Sequence, residues 1–437
     1  MTFRSTRSSS GAISFSETIF QGLAPDGGLY CPTSTPDLTD LFNSFTRHTS
    51  FCDLAAAVTY KLFSPEITRP TAAKIARRAF DFSPSLERLE QGVYLLKLYQ
   101  GPSFAFKDFG ACFLAACMEE FLAQKDRRAI ILVATSGDTG SAVAKAFFRR
   151  HNIDVVILYP SGRVSRLQEK QLTTVGANVT ALEVNGTFDD CQRMAKEAFT
   201  DIELRGHLNL TSANSINAGR LIPQAFYYIY AYTRIKEISN EKLIFCVPSG
   251  NFGNLTAGVY AWKWGLPVEA FVAATNVNDV VPEYLQTGIF KPRPSIATCS
   301  NAMDVGNPSN FVRLQSIFDN DYIRMNAMIS GLTATDQETL RAMKEFEQKY
   351  GIFIDPHTAI GYLAAVRFRP GQVGSETTRI ILGTAHPAKF QETLQKATGK
   401  SPLLPQELEK ALSLPKESVK IDNTVASLKS ELLKTFA

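Results

Sequence analysis

The segment Ala129-Ile-Ile-Leu-Val-Ala-Thr135 constrains the fold more than any other stretch of this chain. Its first six residues are all apolar and leave no polar face for water, so a strand built from them must be covered on both sides. A glycine-rich loop and a helical stretch from Ala142 to Arg149 follow it directly. The same alternation recurs along the chain. Strand-like Gly92 to Leu98 precedes helical apolar spacing from Phe109 to Gln124. Asp154 to Leu158 and Asn178 to Val184 read as strands, with helices near Arg166 to Thr174 and Phe188 to Ala198. A long helix is expected near Leu221 to Ile235, then strands at Leu243 to Val247, Ala270 to Thr275 and Ile380 to Gly383. Apolar strands alternating with helices predict parallel sheets covered by helices on both faces.

The expected architecture is therefore α/β, with two open-sheet α/β domains and an N-terminal mostly helical extension. A chain of 437 residues exceeds what one core usually serves. The expected boundaries are 1–90 for the extension, 91–215 for a smaller domain, and 216–437 for a larger domain with C-terminal helices. Met1 to Ser10 reads as a short frayed end, with structure beginning by Ile13. Pro292 to Asn310 reads as a long loop, and the tail after Phe390 as amphipathic helix.

Apolar residues at 45% and charged residues at 20% fit an ordinary soluble protein. The aromatic-apolar run Phe226 to Tyr232 is too short to span a bilayer, so no membrane partner is expected. The 46 basic residues nearly balance 42 acidic ones. The runs Lys125-Asp-Arg-Arg128 and Arg149-Arg150 read as solvated helix ends, so no nucleic-acid partner is expected either. The seven cysteines are scattered, odd in number and without a CxxC pair. That pattern argues against a disulfide framework or a metal site and for a reducing, cytoplasmic setting. Cys112 and Cys117 lie in an apolar helical stretch and are expected in the core.

Three segments carry chemistry. In Gly101-Pro-Ser-Phe-Ala-Phe-Lys107-Asp-Phe-Gly110, one lysine stands among apolar residues at a helix start. Both surroundings disfavour an ammonium, which suits a Schiff-base lysine. The bland alternative is a lysine snorkelling outward. In Ala134-Thr-Ser-Gly-Asp-Thr-Gly140, a glycine loop joins a buried strand to a helix, as in an anion site or a plain turn. Neither dinucleotide nor Walker spacing is present. In Pro248-Ser-Gly-Asn-Phe-Gly-Asn254, interleaved glycines and asparagines suit close approach to a phosphate, or a β-turn. All three stand at strand ends, where open α/β sheets bind ligands.

These segments, in this order, resemble the threonine synthases. So do Asn214-Ser-Ile-Asn-Ala-Gly-Arg220, Ser300-Asn-Ala-Met-Asp304, Gly383-Thr-Ala-His-Pro-Ala-Lys-Phe390 and the early Ser16 to Tyr30. The resemblance covers nearly the whole chain. It implies the tryptophan-synthase-β-like PLP fold, shared with serine/threonine dehydratases and cysteine synthases. It also implies pyridoxal 5'-phosphate (PLP) as cofactor and O-phosphohomoserine as substrate. The family's catalytic, cofactor-bearing lysine is matched by Lys107. Gly250, Asn251, Phe252, Gly253 and Asn254 match the cradle for the cofactor phosphate, and Thr384 the partner of the pyridine nitrogen. Thr135, Ser136, Asp138 and Thr139 match the loop that grips the substrate carboxylate. Asn214, Ser215 and Arg220 match contacts to the substrate phosphate.

Ser103 stands where the family has threonine, and it keeps a hydroxyl for the substrate. Asp138 replaces the asparagine of the cysteine synthase branch, which puts in doubt a bond to the cofactor's 3'-oxygen. His357 and His386 read as structural histidines or as acid–base groups. Asn276, Asn278 and Asp279 follow a strand and are candidates to line the site. The implied reaction is γ-elimination of phosphate followed by addition of water at Cβ. Alternatives are a phospho-lyase giving 2-oxobutyrate, and a PLP-fold binding protein without activity. A monomer or homodimer is expected.

Overall fold

The computed structural model describes residues 1–7, 11–123, 128–135, 137–238, 242–369 and 377–436. Ser136 and most of the basic run at 125–128 lie outside them. The strands in chain order are β1 (Phe3–Ser5), β2 (Tyr30–Pro32), β3 (Ser85–Glu90), β4 (Val93–Lys97), β5 (Ala129–Ala134), β6 (Ile153–Pro160) and β7 (Val179–Asn185). Then come β8 (Leu210–Thr211), β9 (Lys242–Pro248), β10 (Val268–Thr275), β11 (Ile329–Thr333), β12 (Thr377–Gly383) and β13 (Val419–Asp422).

Two open sheets carry the fold, as the alternating pattern predicts. One has the order β11-β10-β9-β12-β4-β3, and the other β13-β7-β6-β5-β8. All neighbours are parallel except the β3–β4 pair. β5 and β6 are buried at every position, which is why their sequences are unbroken apolar runs. The helix Lys107–Leu122 is buried on nearly all sides and passes through the largest core cluster. Phe109, Phe113 and Met118 on it are fully buried, each contributing about 1.5–3 kcal/mol. Cys112 and Cys117 are buried there too, and all seven cysteines are free thiols.

The sheets do not follow the expected boundaries at 91 and 215. β4, expected in the smaller domain, joins the sheet of β9–β12. β13, from the C-terminal tail, joins the sheet of β5–β8. The expected helix from Leu221 to Ile235 is broken: Ala218–Leu221 passes into a 3-10 turn, Ile222–Gln224, before the helix Ala225–Ile235. Pro223 lacks the N–H that a continuous helix needs. Nor is the N-terminus wholly frayed. β1 pairs antiparallel with β2, and Phe3 is completely buried. One phenylalanine in a polar stretch carries no periodic signal, so this anchor was illegible.

Candidate active site

The turn that presents Lys107 leaves the end of β4 and is pinned at both ends. The Leu98 N–H donates to the Gly383 carbonyl at 2.9 Å, and the Phe106 N–H to the Thr384 carbonyl at 2.8 Å. The His386 N–H donates to the Phe104 carbonyl at 3.0 Å. Thr384, just beyond β12, is thereby held beside the lysine. Its own N–H donates to the Thr358 hydroxyl at 3.2 Å. Asp108 braces the turn from inside, accepting the Ser103 N–H at 2.9 Å. Burial pushes the Asp108 carboxyl up to about 6, with Ser103 opposing.

Lys107 begins the helix Lys107–Leu122 and keeps a partly open face. Its ammonium is pushed down to about 8, first by burial. The charges of Lys389 and Arg220 lower it further, and Asp138 opposes them. Asp138 opens the helix after β5 and is itself enclosed. Its carboxylate takes the Lys389 ammonium at 2.6 Å and the Gln168 amide at 3.1 Å. Burial would raise this carboxyl, but Lys389 and Lys107 together hold it well below the ordinary range. Lys389 also donates to the Ser103 carbonyl at 3.0 Å. Both Ser103 and Lys389 are buried, so this second lysine ties the Lys107 turn to the Asp138 helix.

The 250–254 loop stands at the end of β9 and opens the helix Gly253–Lys263. Phe252 is left-handed at φ 61°, which turns the chain sharply into that helix. A Cβ on Gly250 would lie 2.8 Å from the Ala302 carbonyl and the Met303 Cα, so that side is closed. A Cβ on Gly253 would meet Asn310 Nδ2 at 3.4 Å and Ser215 Cβ at 3.7 Å, ordinary contact distances, so that side is less tightly closed. Asn251 bridges the two walls: its amide donates to Ser215 Oγ at 2.6 Å, and its Oδ1 accepts the Ser309 N–H at 2.5 Å. Asn254 is structural, with its amide on the Pro248 carbonyl at 2.7 Å.

Arg220 is 2% exposed. It donates to the carbonyls of Ala213 at 2.7 Å and Lys107 at 3.4 Å. Burial pushes the guanidinium down to about 10, with Asp108 opposing. Its Nε and the nearby turn's Ser103 Oγ are buried without a hydrogen-bond partner among the described residues. Asn214 is half-buried and donates to the Ala134 carbonyl at 3.0 Å, joining this segment to the end of β5. Thr135 is occupied within its own loop, accepting the N–H groups of Gly137 at 3.0 Å and Gly140 at 2.8 Å. Thr139 is half-buried.

His357 and His386 are both engaged by neighbouring groups. His357 pairs through Nδ1 with Asp355 at 2.6 Å, and its Nε2 accepts the Ala302 N–H at 3.2 Å. It thus holds the segment that closes over Gly250. Burial pushes the His386 imidazole down to about 4, helped by Lys389 and Lys97 and opposed by Asp355. Asn276 and Asn278 are spent on the loop beyond β10. Their amides donate to Thr298 Oγ1 at 2.8 Å and to the Ile296 carbonyl at 2.8 Å. Asp279 pairs with Arg293. Among the described residues no cluster could hold a metal ion.

Lys389 is the site residue that local reading missed. The signal was present: Lys389 is a lone lysine between Ala388 and Phe390, an apolar setting like the Phe-Ala-Phe that precedes Lys107.

The chain's likeness to known proteins agrees with this geometry. Residues 79–383 match the family described as pyridoxal-phosphate dependent enzyme. Residues 2–80 match the threonine synthase N terminus, and 358–431 the threonine synthase C-terminal region. The threonine synthase of Haemophilus influenzae is 40% identical over 423 residues, 97% of each chain. That of Saccharomyces cerevisiae is 34% identical, covering 95% of this chain and 94% of its own. The crystal structure of Escherichia coli threonine synthase superposes with a TM-score of 0.91 at 37% identity, covering 100% of both chains. With Lys107, the two glycine loops and the Arg220 segment gathered at the strand ends, and with relatives matched from end to end, this chain belongs to the threonine synthase family of pyridoxal-phosphate dependent enzymes.

Proposed function

We propose that this chain converts O-phospho-L-homoserine and water to L-threonine and phosphate, with Lys107 carrying PLP. The observation that carries this reading is a half-buried lysine of lowered basicity beside two separate donor clusters. The 250–254 loop brings two glycines to the N-terminus of the helix Gly253–Lys263, which suits the cofactor phosphate. The unpartnered Arg220 Nε and Ser103 Oγ suit a second phosphate. A substrate that brings its own phosphate to a phosphorylated cofactor needs both.

When bound, the cofactor supplies an electron sink for charge formed at the substrate Cα. Thr384 presents a neutral hydroxyl for the pyridine nitrogen, where a carboxylate would instead favour its protonation. Lys107 Nζ, once free, removes the proton from Cα and returns protons later, so one amine serves as base and acid in turn. Thr139 and Ser136 receive the substrate carboxylate, with Thr135 and Asp138 fixing the loop that holds them. Arg220, with Asn214 and Ser215, takes the charge on the phosphate as a second proton leaves Cβ, a Cβ–Cγ double bond forms and the oxygen leaves with the electron pair of its bond to Cγ. A proton is then delivered to Cγ, water adds at Cβ and a proton returns to Cα.

Product analysis tests this reading. With O-phosphohomoserine, the purified protein should release phosphate and threonine in equal amounts. Release of 2-oxobutyrate and ammonia in place of threonine would establish a phospho-lyase. The proposed setting is the cytoplasm, with the chain acting on a small molecule as a monomer or homodimer. The free thiols of all seven cysteines support a reducing compartment. Among the described residues no helix is long and apolar enough to cross a membrane.

A further inference from the structure

Arg313 is a buried cation with no anion. It lies on the helix Phe311–Ile317 and is 1% exposed. Its four hydrogen bonds to oxygen all go to neutral acceptors. Nε donates to the Tyr30 carbonyl at 3.1 Å, and Nη2 to the Ile216 carbonyl at 2.6 Å. Nη1 donates to the Ser215 carbonyl at 3.2 Å and to Asn310 Oδ1 at 2.6 Å. It forms no ion pair among the described residues. Isolated charge in a protein interior is costly unless something compensates it. Burial holds this guanidinium below its ordinary basicity, with Cys31 and Tyr260 opposing.

The consequence falls on Asn310. A guanidinium only donates hydrogen bonds, so the Asn310 atom facing it must be the oxygen. The amide orientation is thereby fixed, and Nδ2 points the other way. Asn310 is fully buried, yet Nδ2 has no hydrogen-bond partner among the described residues. It lies 3.4 Å from where a Cβ of Gly253 would stand, at the N-terminus of the helix Gly253–Lys263. The Asn251–Ser309 bond at 2.5 Å locks the Asn310 segment to the same loop. A buried donor kept unsatisfied, backed by an unneutralised cation, marks the place of an absent anion.

We infer that Asn310 donates through Nδ2 to the cofactor phosphate, and that Arg313 is the positioning residue that aims it and supplies the balancing charge. This rests on the assignment of the 250–254 loop to that phosphate. It adds a donor from a segment remote from the loop and braced by the N-terminal strand through Tyr30.

Equilibrium binding to apoprotein separates the possibilities, using PLP and pyridoxal, which lacks the phosphate. Asn310→Ala should weaken PLP by roughly tenfold or more, the scale of one hydrogen bond to a charged group. Pyridoxal binding should be unchanged. Asn310→Asp keeps the oxygen facing Arg313 but turns the free donor into a charged acceptor. It should weaken PLP by about a hundredfold or more, while the apoprotein melts no lower than wild type because Arg313 gains a counter-charge. Asn310→Ala binding PLP as wild type does, or losing PLP and pyridoxal equally, overturns the donor role. Asn310→Asp apoprotein melting lower than wild type overturns the charge role of Arg313. Gly253→Val serves as control for the underlying assignment. If it still binds PLP tightly, the loop reading is at fault; if it alone loses PLP, only the present inference fails.

Discussion

Lys107 feels two further cations, Lys389 and Arg220, and one carboxylate, Asp138. An amine attacks a carbonyl only when neutral, so its basicity sets the pH at which the apoprotein captures cofactor. With the ammonium lowered to about 8, capture should rise with pH and level off above that value. Stopped-flow absorbance between about pH 6.5 and 10.5 reads this directly. A profile still climbing at the upper end, as for an ordinary lysine, would remove the argument from burial. Arg220 gives the second prediction at this scale. Arg220→Ala should lower kcat/KM for O-phosphohomoserine by roughly a hundredfold, about 3 kcal/mol of lost transition-state binding. The cofactor spectrum and any weak turnover of unphosphorylated amino acids should hardly change. A small, uniform loss on both substrate types would show that Arg220 only braces the Lys107 and Ala213 carbonyls. Lys107 was legible because its context is local: apolar neighbours and a helix start within a few residues. The occupation of Thr135 by its own loop was not legible, because a hydroxyl's partner depends on backbone geometry that composition does not carry.

The loops at the strand ends behave as packed elements rather than as flexible connectors. Gly250 is closed over by the Ser300-to-Met303 segment, which His357 holds through the Ala302 N–H. Gly250→Ala would place a methyl 2.8 Å from backbone atoms at Ala302 and Met303, where no side chain can yield. It should therefore cost about 1–3 kcal/mol of apoprotein stability, read by urea unfolding. A variant as stable as wild type would mean that this segment moves freely. Elements with continuous apolar cores, such as β5, β6 and β9, were readable because burial on both faces leaves one kind of sequence. β3 was not. Its sequence Ser-Leu-Glu-Arg-Leu-Glu is largely exposed on an antiparallel edge, and edge strands carry charge. The break at Pro223 was readable in principle, but the apolar run around it masked the missing N–H.

At the scale of the molecule, the candidate site lies at the seam between two sheets, and the chain crosses that seam more often than its linear order suggests. β4 and β13 each pair with strands far away in sequence, which no local pattern announces. The ion pair of Asp138 and Lys389 sits on this seam. Asp138 follows β5 of one sheet, Lys389 follows β12 of the other, and their 2.6 Å contact is fully enclosed. Removing one partner leaves a lone buried charge, so Lys389→Met should destabilise the apoprotein by about 3–5 kcal/mol. It should also raise the basicity of Lys107. The Lys389 charge that lowers it is gone, and Asp138, which raises it, is left without its main partner. The midpoint for cofactor capture should therefore move to higher pH. In the double variant Asp138→Asn with Lys389→Met, the two influences on Lys107 are removed together. The midpoint should return towards about 8, and most of the stability should be regained. Urea unfolding and the capture profile, measured on the same preparations, decide it. If Lys389→Met shifts neither quantity, the pair is incidental to the seam. If the double variant stays as impaired as the single one, Lys389 acts through its bond to the Ser103 carbonyl rather than through Asp138.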